Sequence, residues 1–139
     1  MGSTYKRKIN YYETDKMGVV HHSNYIRFLE EARCNWLEKE GIPMSFLEEN
    51  GYTIPTLEVN CKYKTHVTNG NTILITPKVE EYNGVRMKVS YEVIEEKTKR
   101  TVIEACTKHC FTNKELKPIN MKKQNETIDK IMQKLLEEN

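Results

Sequence analysis

The residues best suited to chemistry lie between Tyr11 and Tyr25, where an acid, two histidines and a predicted helix start share one short segment. The first N–H groups of a helix have no partner within the helix and carry the positive end of its dipole. They can therefore polarise a carbonyl group or hold an oxyanion, and a carboxylate beside them, such as Asp15, can activate water. In the alternative interpretation, Asp15 and Ser23 cap turns, as these residue types often do, and both histidines lie in solvent. The segment predicts either a hydrolytic site or a capped loop.

Other kinds of site have weaker support. His21 and His22 are adjacent, so their side chains point in different directions, and no carboxylate follows at a recognised metal-ligand spacing. The chain has no GxSxG, P-loop or GxGxxG motif, which argues against serine hydrolases, P-loop NTPases and dinucleotide-binding enzymes. The cysteines form no CxxC pair, and they are Cys34, Cys61, Cys106 and Cys110. We therefore predict no metal, no cofactor and no disulfide.

Length and composition limit the classes of protein to consider. The 139 residues suffice for one compact domain with a core. There are 22 Lys+Arg against 20 Asp+Glu, so the net charge of +2 is unlike the concentrated positive charge of nucleic-acid binders. No window approaches the roughly 18 to 20 consecutive apolar residues of a membrane span, and the N-terminus lacks the apolar segment of a signal peptide. We expect a cytoplasmic protein with no nucleic-acid partner and no membrane span.

The segments on either side of the polar cluster predict a strand and a long helix. Residues Tyr5–Tyr12 alternate well enough for a half-buried strand. From Asn24 to about Glu40 the apolar residues fall on one helical stripe, which comprises Tyr25, Phe28, Leu29, Ala32 and Trp36. Ser23 is the expected N-cap and Gly41 the expected end of this helix. A short helix over Met44–Glu49 follows.

The rest of the chain predicts four antiparallel strands and a final helix. The strands are expected at Leu57–Tyr63, Thr72–Tyr82, Met87–Val93 and Thr101–Thr112. The first of them alternates apolar with polar residues, which indicates one face in solvent. Asn83-Gly84 is a strong hairpin signal, and Pro77 implies an edge position or a bulge. With an amphipathic helix over Asn125–Asn139, the order predicts an α+β domain in which the long helix covers the apolar face of the sheet.

The polar segment carries a resemblance to a known family. It reads Y-x-E-T-D-x-x-G-V-V-x-H-x-N-Y from Tyr11 to Tyr25, and the helix after it contains Glu30-Glu31-Ala32-Arg33. This string resembles the N-terminal signature of hotdog-fold acyl-CoA thioesterases of the 4-hydroxybenzoyl-CoA type, and more narrowly their YbgC-like branch. The resemblance covers about residues 5 to 120. It implies a hotdog domain over 1–120, a five-stranded antiparallel sheet wrapped around one long helix, with a C-terminal helical extension over 121–139.

The resemblance also implies roles for individual residues. Asp15 matches the catalytic carboxylate, acting as general base toward water or as nucleophile on the thioester carbonyl. His22 matches the motif histidine at the helix start, where its N–H polarises the carbonyl. Tyr11 matches a supporting tyrosine that positions Asp15 or lines the pocket. The acyl group is expected beside the turn formed by Gly18, Val19 and Val20.

Two departures from the family pattern affect the pocket and the tail. His21 stands where relatives more often carry an aromatic residue, which changes the shape and polarity expected of the acyl pocket. The apolar stripe after Met121 extends past the hotdog core and must be buried on its own subunit or on a partner. Basic side chains should also contact the phosphates of coenzyme A. The candidates, which are equally consistent with solvated strand surface, are Lys62, Lys64, Arg86 and Lys88.

These observations predict an acyl-CoA thioesterase that releases a carboxylic acid and free coenzyme A. Hydrolysis of acyl chains from acyl carrier protein is the alternative within enzymes, and a non-catalytic acyl-CoA-binding module is the alternative outside them. The presence of Tyr11, Asp15 and His22 together favours an enzyme. Because a single sheet leaves strand edges open, we also expect a homodimer or homotetramer.

Overall fold

The computed structural model describes residues 3–138 as one five-stranded antiparallel sheet with helices on one face. The strands are β1 (Tyr5–Lys8), β2 (Thr56–Tyr63), β3 (Thr72–Tyr82), β4 (Arg86–Glu95) and β5 (Thr101–Cys110). The helices are α1 (His22–Lys39), α2 (Met44–Asn50), α3 (Met121–Gln124) and α4 (Glu126–Glu137). The spatial order is β1-β3-β4-β5-β2, with every neighbouring pair antiparallel. The predicted α+β architecture is confirmed.

The long helix α1 packs its predicted apolar stripe against the sheet. All five stripe residues are buried, as are the sheet residues Ile73, Ile75, Val89 and Val93. The helix begins at His22, two residues earlier than the expected Asn24, because the N-cap is His21 and not Ser23: the His21 ring accepts from the Ser23 N–H. Strand β1 is also shorter than predicted: it ends at Lys8, and a 3₁₀ turn occupies Tyr11–Glu13.

Strand β2 does not have the buried face that its alternation predicted. Leu57, Val59 and Tyr63 are 50%, 38% and 49% exposed. The physical reason is position, because β2 lies at one edge of the sheet and α1 reaches it near its C-terminal end, where the Tyr25 ring contacts Tyr63. An apolar edge strand is therefore left uncovered.

The interruption of β3 by Pro77 agrees with the sequence expectation. Strand β1 pairs with β3 over Thr72–Ile75, so Pro77 lies just beyond that pairing, where one side of β3 is open. The register then shifts between Val79 and Glu81, opposite β4. A residue without an N–H is tolerated at such an edge or bulge.

The C-terminal tail buries its apolar stripe on its own subunit. Ile128, Met132 and Leu135 of α4 are buried in the core, and the Tyr82 hydroxyl donates to Asp129 Oδ1 at 2.6 Å. None of the helices in the described part of the chain combines the length and apolarity that crossing a bilayer requires. The tail thus completes the core beside α1.

We expect Tyr82→Phe to lower the free energy of unfolding by about 1.5 kcal/mol, since it removes a part-buried hydrogen bond to a carboxylate. Urea denaturation measures the change. The matched control is Tyr52→Phe. The Tyr52 hydroxyl donates to the Gln124 carbonyl at an exposed site, so its removal should lower the free energy of unfolding by less than about 0.5 kcal/mol. Equal losses in the two variants would show that the hydrogen bond to Asp129 adds nothing specific to docking of α4.

Candidate active site

Asp15 lies in a small hairpin that precedes α1. Thr14 bridges to Val20, and the Asp15 N–H donates to the Val19 carbonyl at 2.8 Å. The turn closes when the Gly18 N–H donates to the Asp15 carbonyl at 3.0 Å, with Gly18 at φ +80°. A left-handed backbone of this kind suits glycine. We call Thr14–Val20 the Asp15 hairpin.

The carboxylate of Asp15 faces a cavity of about 200 Å³. Its Oδ1 accepts from the Met17 N–H at 2.8 Å. The cavity is lined by Asp15, Met17, Val19, Val20, His22, Tyr25, Tyr63, Lys64, Thr65 and His66. Four of the predicted site residues therefore come together here: Asp15, Val19, Val20 and His22. The other two predicted residues, Tyr11 and Gly18, do not line the cavity, and Tyr11 is 78% exposed.

The start of α1 forms one wall of this cavity. The Ser23 N–H donates to His21 Nδ1 at 3.2 Å, and the Asn24 N–H to the His21 carbonyl at 2.9 Å. The N–H of His22 has no hydrogen-bond partner within residues 3–138. It is therefore a donor available at the positive end of the helix dipole. The His22 ring stacks on His21, with 4.3 Å between ring centroids, so the prediction that these adjacent side chains point in different directions is wrong.

The opposite wall comes from the end of β2 and the segment after it. The Val20 N–H donates to the Val67 carbonyl at 3.0 Å, which ties the hairpin to this segment. Lys64, a predicted basic candidate, brings a cation to the cavity. Thr65 and His66 were not predicted, and a polar run directly after a strand was the available signal. Burial raises the pKa of Tyr25 to about 12, so its hydroxyl remains protonated.

A second cavity, of about 370 Å³, lies near the other end of β2. It contains Arg86 and Lys88, which were predicted as phosphate ligands, and also Lys108, which was not. Lys62 lines neither cavity. We call Arg86, Lys88 and Lys108 the basic cluster. Three cations around one concave surface suit an anionic group, although Glu81 shares the lining and Lys108 pairs with Glu58 at 3.5 Å.

The chemistry available at the first cavity follows from its donors and acceptors. A carboxylate can take a proton from water or attack a carbonyl carbon directly. The His22 N–H can hold the oxygen on which negative charge develops. No group of three metal-ligating side chains is present among residues 3–138. The geometry suits hydrolysis of an activated carbonyl compound.

Comparison with known proteins identifies the family. Residues 9–135 match the thioesterase-like superfamily. The chain is a member of this superfamily. Two solved structures resemble this thioesterase-like protein: a hypothetical protein of Aquifex aeolicus, 31% identical with a TM-score of 0.85, and a DHNA-CoA thioesterase of Staphylococcus aureus, 27% identical with a TM-score of 0.90. The alignments cover 94% and 96% of this chain, and 98% and 89% of those chains.

A curated relative is similar over most of the thioesterase-like protein. The 1,4-dihydroxy-2-naphthoyl-CoA hydrolase of Crocosphaera subtropica is 26% identical over 116 residues, which are 82% of this chain and 85% of the relative. The predicted hotdog fold and the predicted enzyme class, a thioester hydrolase, are confirmed. The narrower assignment to the 4-hydroxybenzoyl-CoA type stays a prediction.

Proposed function

We propose that this thioesterase-like protein hydrolyses an acyl-CoA to a carboxylic acid and free coenzyme A at the Asp15 cavity. The observation that carries the proposal is that Asp15 and His22 line one cavity, and that the His22 N–H has no hydrogen-bond partner within residues 3–138. Thioester hydrolysis needs a group that activates water and a donor on the carbonyl oxygen. These two residues supply both.

The reaction follows from this arrangement. The thioester oxygen accepts from the His22 N–H, and Asp15 takes a proton from a water that attacks the carbonyl carbon. The carbon–sulfur bond breaks, and the proton passes to the departing thiolate of coenzyme A. In the alternative route the Asp15 carboxylate attacks the carbonyl carbon and the carbon–sulfur bond breaks, which expels the thiolate of coenzyme A. Water then hydrolyses the resulting anhydride, which restores Asp15, releases the acid and supplies the proton taken up by the thiolate. Both reaction routes begin from the same placement of Asp15.

The carrier and the acyl group are tested by release of free thiol. Similar proteins are named for CoA thioesters, which favours CoA over acyl carrier protein. The panel contains short, medium and long acyl-CoAs, aromatic acyl-CoAs including 1,4-dihydroxy-2-naphthoyl-CoA, and one acyl carrier protein thioester. Turnover of a CoA thioester is the expected result. Turnover of the carrier-protein thioester alone, or binding without turnover, would contradict the proposal.

We also propose that two subunits pair through β2. The strand is an edge, and its apolar side chains Leu57, Val59 and Tyr63 are exposed. Pairing two copies closes the β2 edge of each subunit and covers these side chains. Light scattering at micromolar concentration should give a dimer or a multiple of it, and a monomeric mass would contradict the pairing.

Such pairing brings the basic cluster to the partner's Asp15 cavity. Within one subunit, Leu57 lines the basic cavity and Tyr63 lines the Asp15 cavity. These two residues are about 20 Å apart along an extended strand. Antiparallel pairing of two β2 strands about a two-fold axis places the Leu57 end of one beside the Tyr63 end of the other. We therefore propose that the basic cluster binds the CoA phosphates of a substrate cleaved by the partner subunit.

We expect Arg86→Gln with Lys108→Gln to raise KM for an acyl-CoA about tenfold, because charge-assisted bonds to phosphate are lost. KM for the matching acyl-pantetheine, which lacks the nucleotide, should stay unchanged. Lys62→Gln is the control, since Lys62 lines neither cavity. An equal rise in KM for both substrates would contradict phosphate binding.

Mixed dimers test which subunit supplies the phosphate ligands. One subunit carries Asp15→Asn and the other carries the two basic-cluster substitutions. If the ligands come from the partner, one of the two sites is complete, and about half of the wild-type activity per dimer returns at low acyl-CoA concentration. Activity no higher than the mean of the two parent dimers would assign the ligands to the same subunit as Asp15.

A further inference from the structure

We propose that Glu13 is a positioning residue for Asp15, an inference that rests on the function proposed for Asp15. Glu13 is 5% exposed. Its carboxylate accepts from Arg7 Nη1 at 2.8 Å and from Nη2 at 2.5 Å. The Asn10 N–H donates to the same carboxylate at 2.8 Å. Three charge-assisted hydrogen bonds thus fix this side chain at the base of the Asp15 hairpin.

The main chain of Glu13 is fixed to the start of α1. Its carbonyl accepts from the His21 N–H at 2.9 Å and from Asn24 Nδ2 at 2.9 Å. His21 is the N-cap of α1, and Asn24 lies in its first turn. Glu13 therefore connects the hairpin both to β1, through Arg7, and to the helix end that supplies the His22 N–H.

Arg7 is itself held by α1. Its Nε donates to Glu31 Oε1 at 2.9 Å, and its guanidinium carbon lies 4.5 Å from the centre of the Phe28 ring. The hydrogen bond with Glu31 raises the pKa of Arg7, so the guanidinium remains charged. Strand β1, helix α1 and Glu13 thus form one anchor.

Asp15 has few other constraints. Within residues 3–138, the hydrogen bond found for its carboxylate comes from the Met17 N–H, inside the same hairpin. The distance from Asp15 to the His22 N–H therefore depends on the base of the hairpin. A misplacement of about 1 Å costs up to about a hundredfold in rate. Glu13 sets this distance without touching the substrate.

The test compares Glu13→Gln with Glu96→Gln. Glutamine at position 13 keeps the size of the side chain and an acceptor for Asn10, but it weakens both bonds from Arg7. We expect kcat to fall about thirtyfold, with KM for the acyl-CoA within about twofold. Glu96→Gln removes a carboxylate that pairs with Lys6 of β1 at 2.7 Å and leaves Arg7 and Glu13 untouched, so kcat should stay within about twofold. Equal falls in kcat would make Glu13 a general stabiliser and overturn the proposal.

A double-mutant cycle separates positioning from loss of fold. If Glu13 acts through Asp15, then Glu13→Gln lowers the residual kcat no further in an Asp15→Asn background. Losses that multiply would overturn the proposal. Should Glu13→Gln fail to fold, Asn24→Ala replaces it, because it removes only the side-chain bond to the Glu13 carbonyl.

Amide hydrogen exchange tests the anchor independently of activity. Exchange at the Asp15 and His21 N–H groups should be at least about tenfold faster in Glu13→Gln, or in Asn24→Ala, than in wild type. It should be unchanged in Glu96→Gln. Faster exchange in a protein that cleaves no substrate of the panel would count against the proposed function alone. Unchanged exchange would overturn the positioning role of Glu13.

Discussion

Replacing Asp15 with asparagine is expected to lower kcat for acyl-CoA hydrolysis by about a thousandfold. Asparagine keeps the size of the side chain and an oxygen that can accept from the Met17 N–H. It cannot take a proton from water or form an anhydride, so both proposed reaction routes are blocked. The measurement is free-thiol release by the two proteins on the best substrate of the panel.

Controls for Asp15→Asn separate chemistry from binding and folding. The variant should retain the wild-type melting temperature and bind acyl-CoA with unchanged affinity, because the hairpin and the basic cluster are intact. Full hydrolysis by this variant would contradict the assigned role of Asp15. A loss of binding equal to the loss of kcat would instead indicate that Asp15 holds the substrate.

A second large effect is expected from a polar network buried beneath α1. Arg33 Nη1 donates to the Tyr91 hydroxyl at 3.0 Å, and Thr107 Oγ1 lies 2.6 Å from that hydroxyl and 2.7 Å from His109 Nε2. Arginine can only donate, so the donor order that satisfies each group runs from Arg33 through Tyr91 and Thr107 to His109. Nε2 is then an acceptor, and His109 is neutral with its proton on Nδ1, facing Thr56 Oγ1 at 3.3 Å.

This environment makes the fold sensitive to acid. Burial, with the charge of Arg33, lowers the pKa of His109 from 6.5 to about 4. Between these two pH values the unfolded chain binds a proton that the folded chain does not, so stability is complete above pH 6.5 and is lost toward pH 4. The loss expected from this group is about 2 to 3 kcal/mol.

Urea unfolding at pH 7.5 and pH 4 measures this loss. His109→Gln should be less stable at neutral pH, because the network is disturbed, and should lose less stability than wild type on acidification. The control is His66→Gln, which removes an exposed histidine and should leave the pH dependence unchanged. An identical pH dependence in wild type and His109→Gln would contradict the role of His109.

The sequence predicted those elements whose signals are local. The stripe from Tyr25 to Trp36 follows the helical period over about three turns, and Asn83-Gly84 joins two alternating strands, so the sequence predicts α1 and the β3–β4 hairpin. Asp15 and His22 were predicted together because they lie in one short segment that the fold keeps compact.

What the sequence did not predict depends on contacts between distant residues. Thr65 and His66 reach the Asp15 cavity only because the segment after β2 packs on the hairpin. Glu13 and Arg7 look like surface charges in the sequence, but Glu13 is buried and Arg7 is half-buried because the two side chains pair with each other. The alternation of apolar and polar residues in β2 predicts a buried side that is in fact exposed, because the pattern shows that a face is apolar but not what covers it.

The Asp15 hairpin separates the residues that place the Asp15 carboxylate from the residues that shape the cavity at the tip. Its base is buried at Glu13, whereas at its tip Met17 is 79% exposed and also lines the cavity. Under the proposed function, substitutions at the tip alter the space offered to an acyl group without moving the carboxylate or the helix end. New substrate preferences can therefore accumulate by drift at a few exposed positions while the hydrolytic step persists. A fold with this division is a favourable starting point for divergence, and for laboratory evolution that randomises Lys16 and Met17 alone.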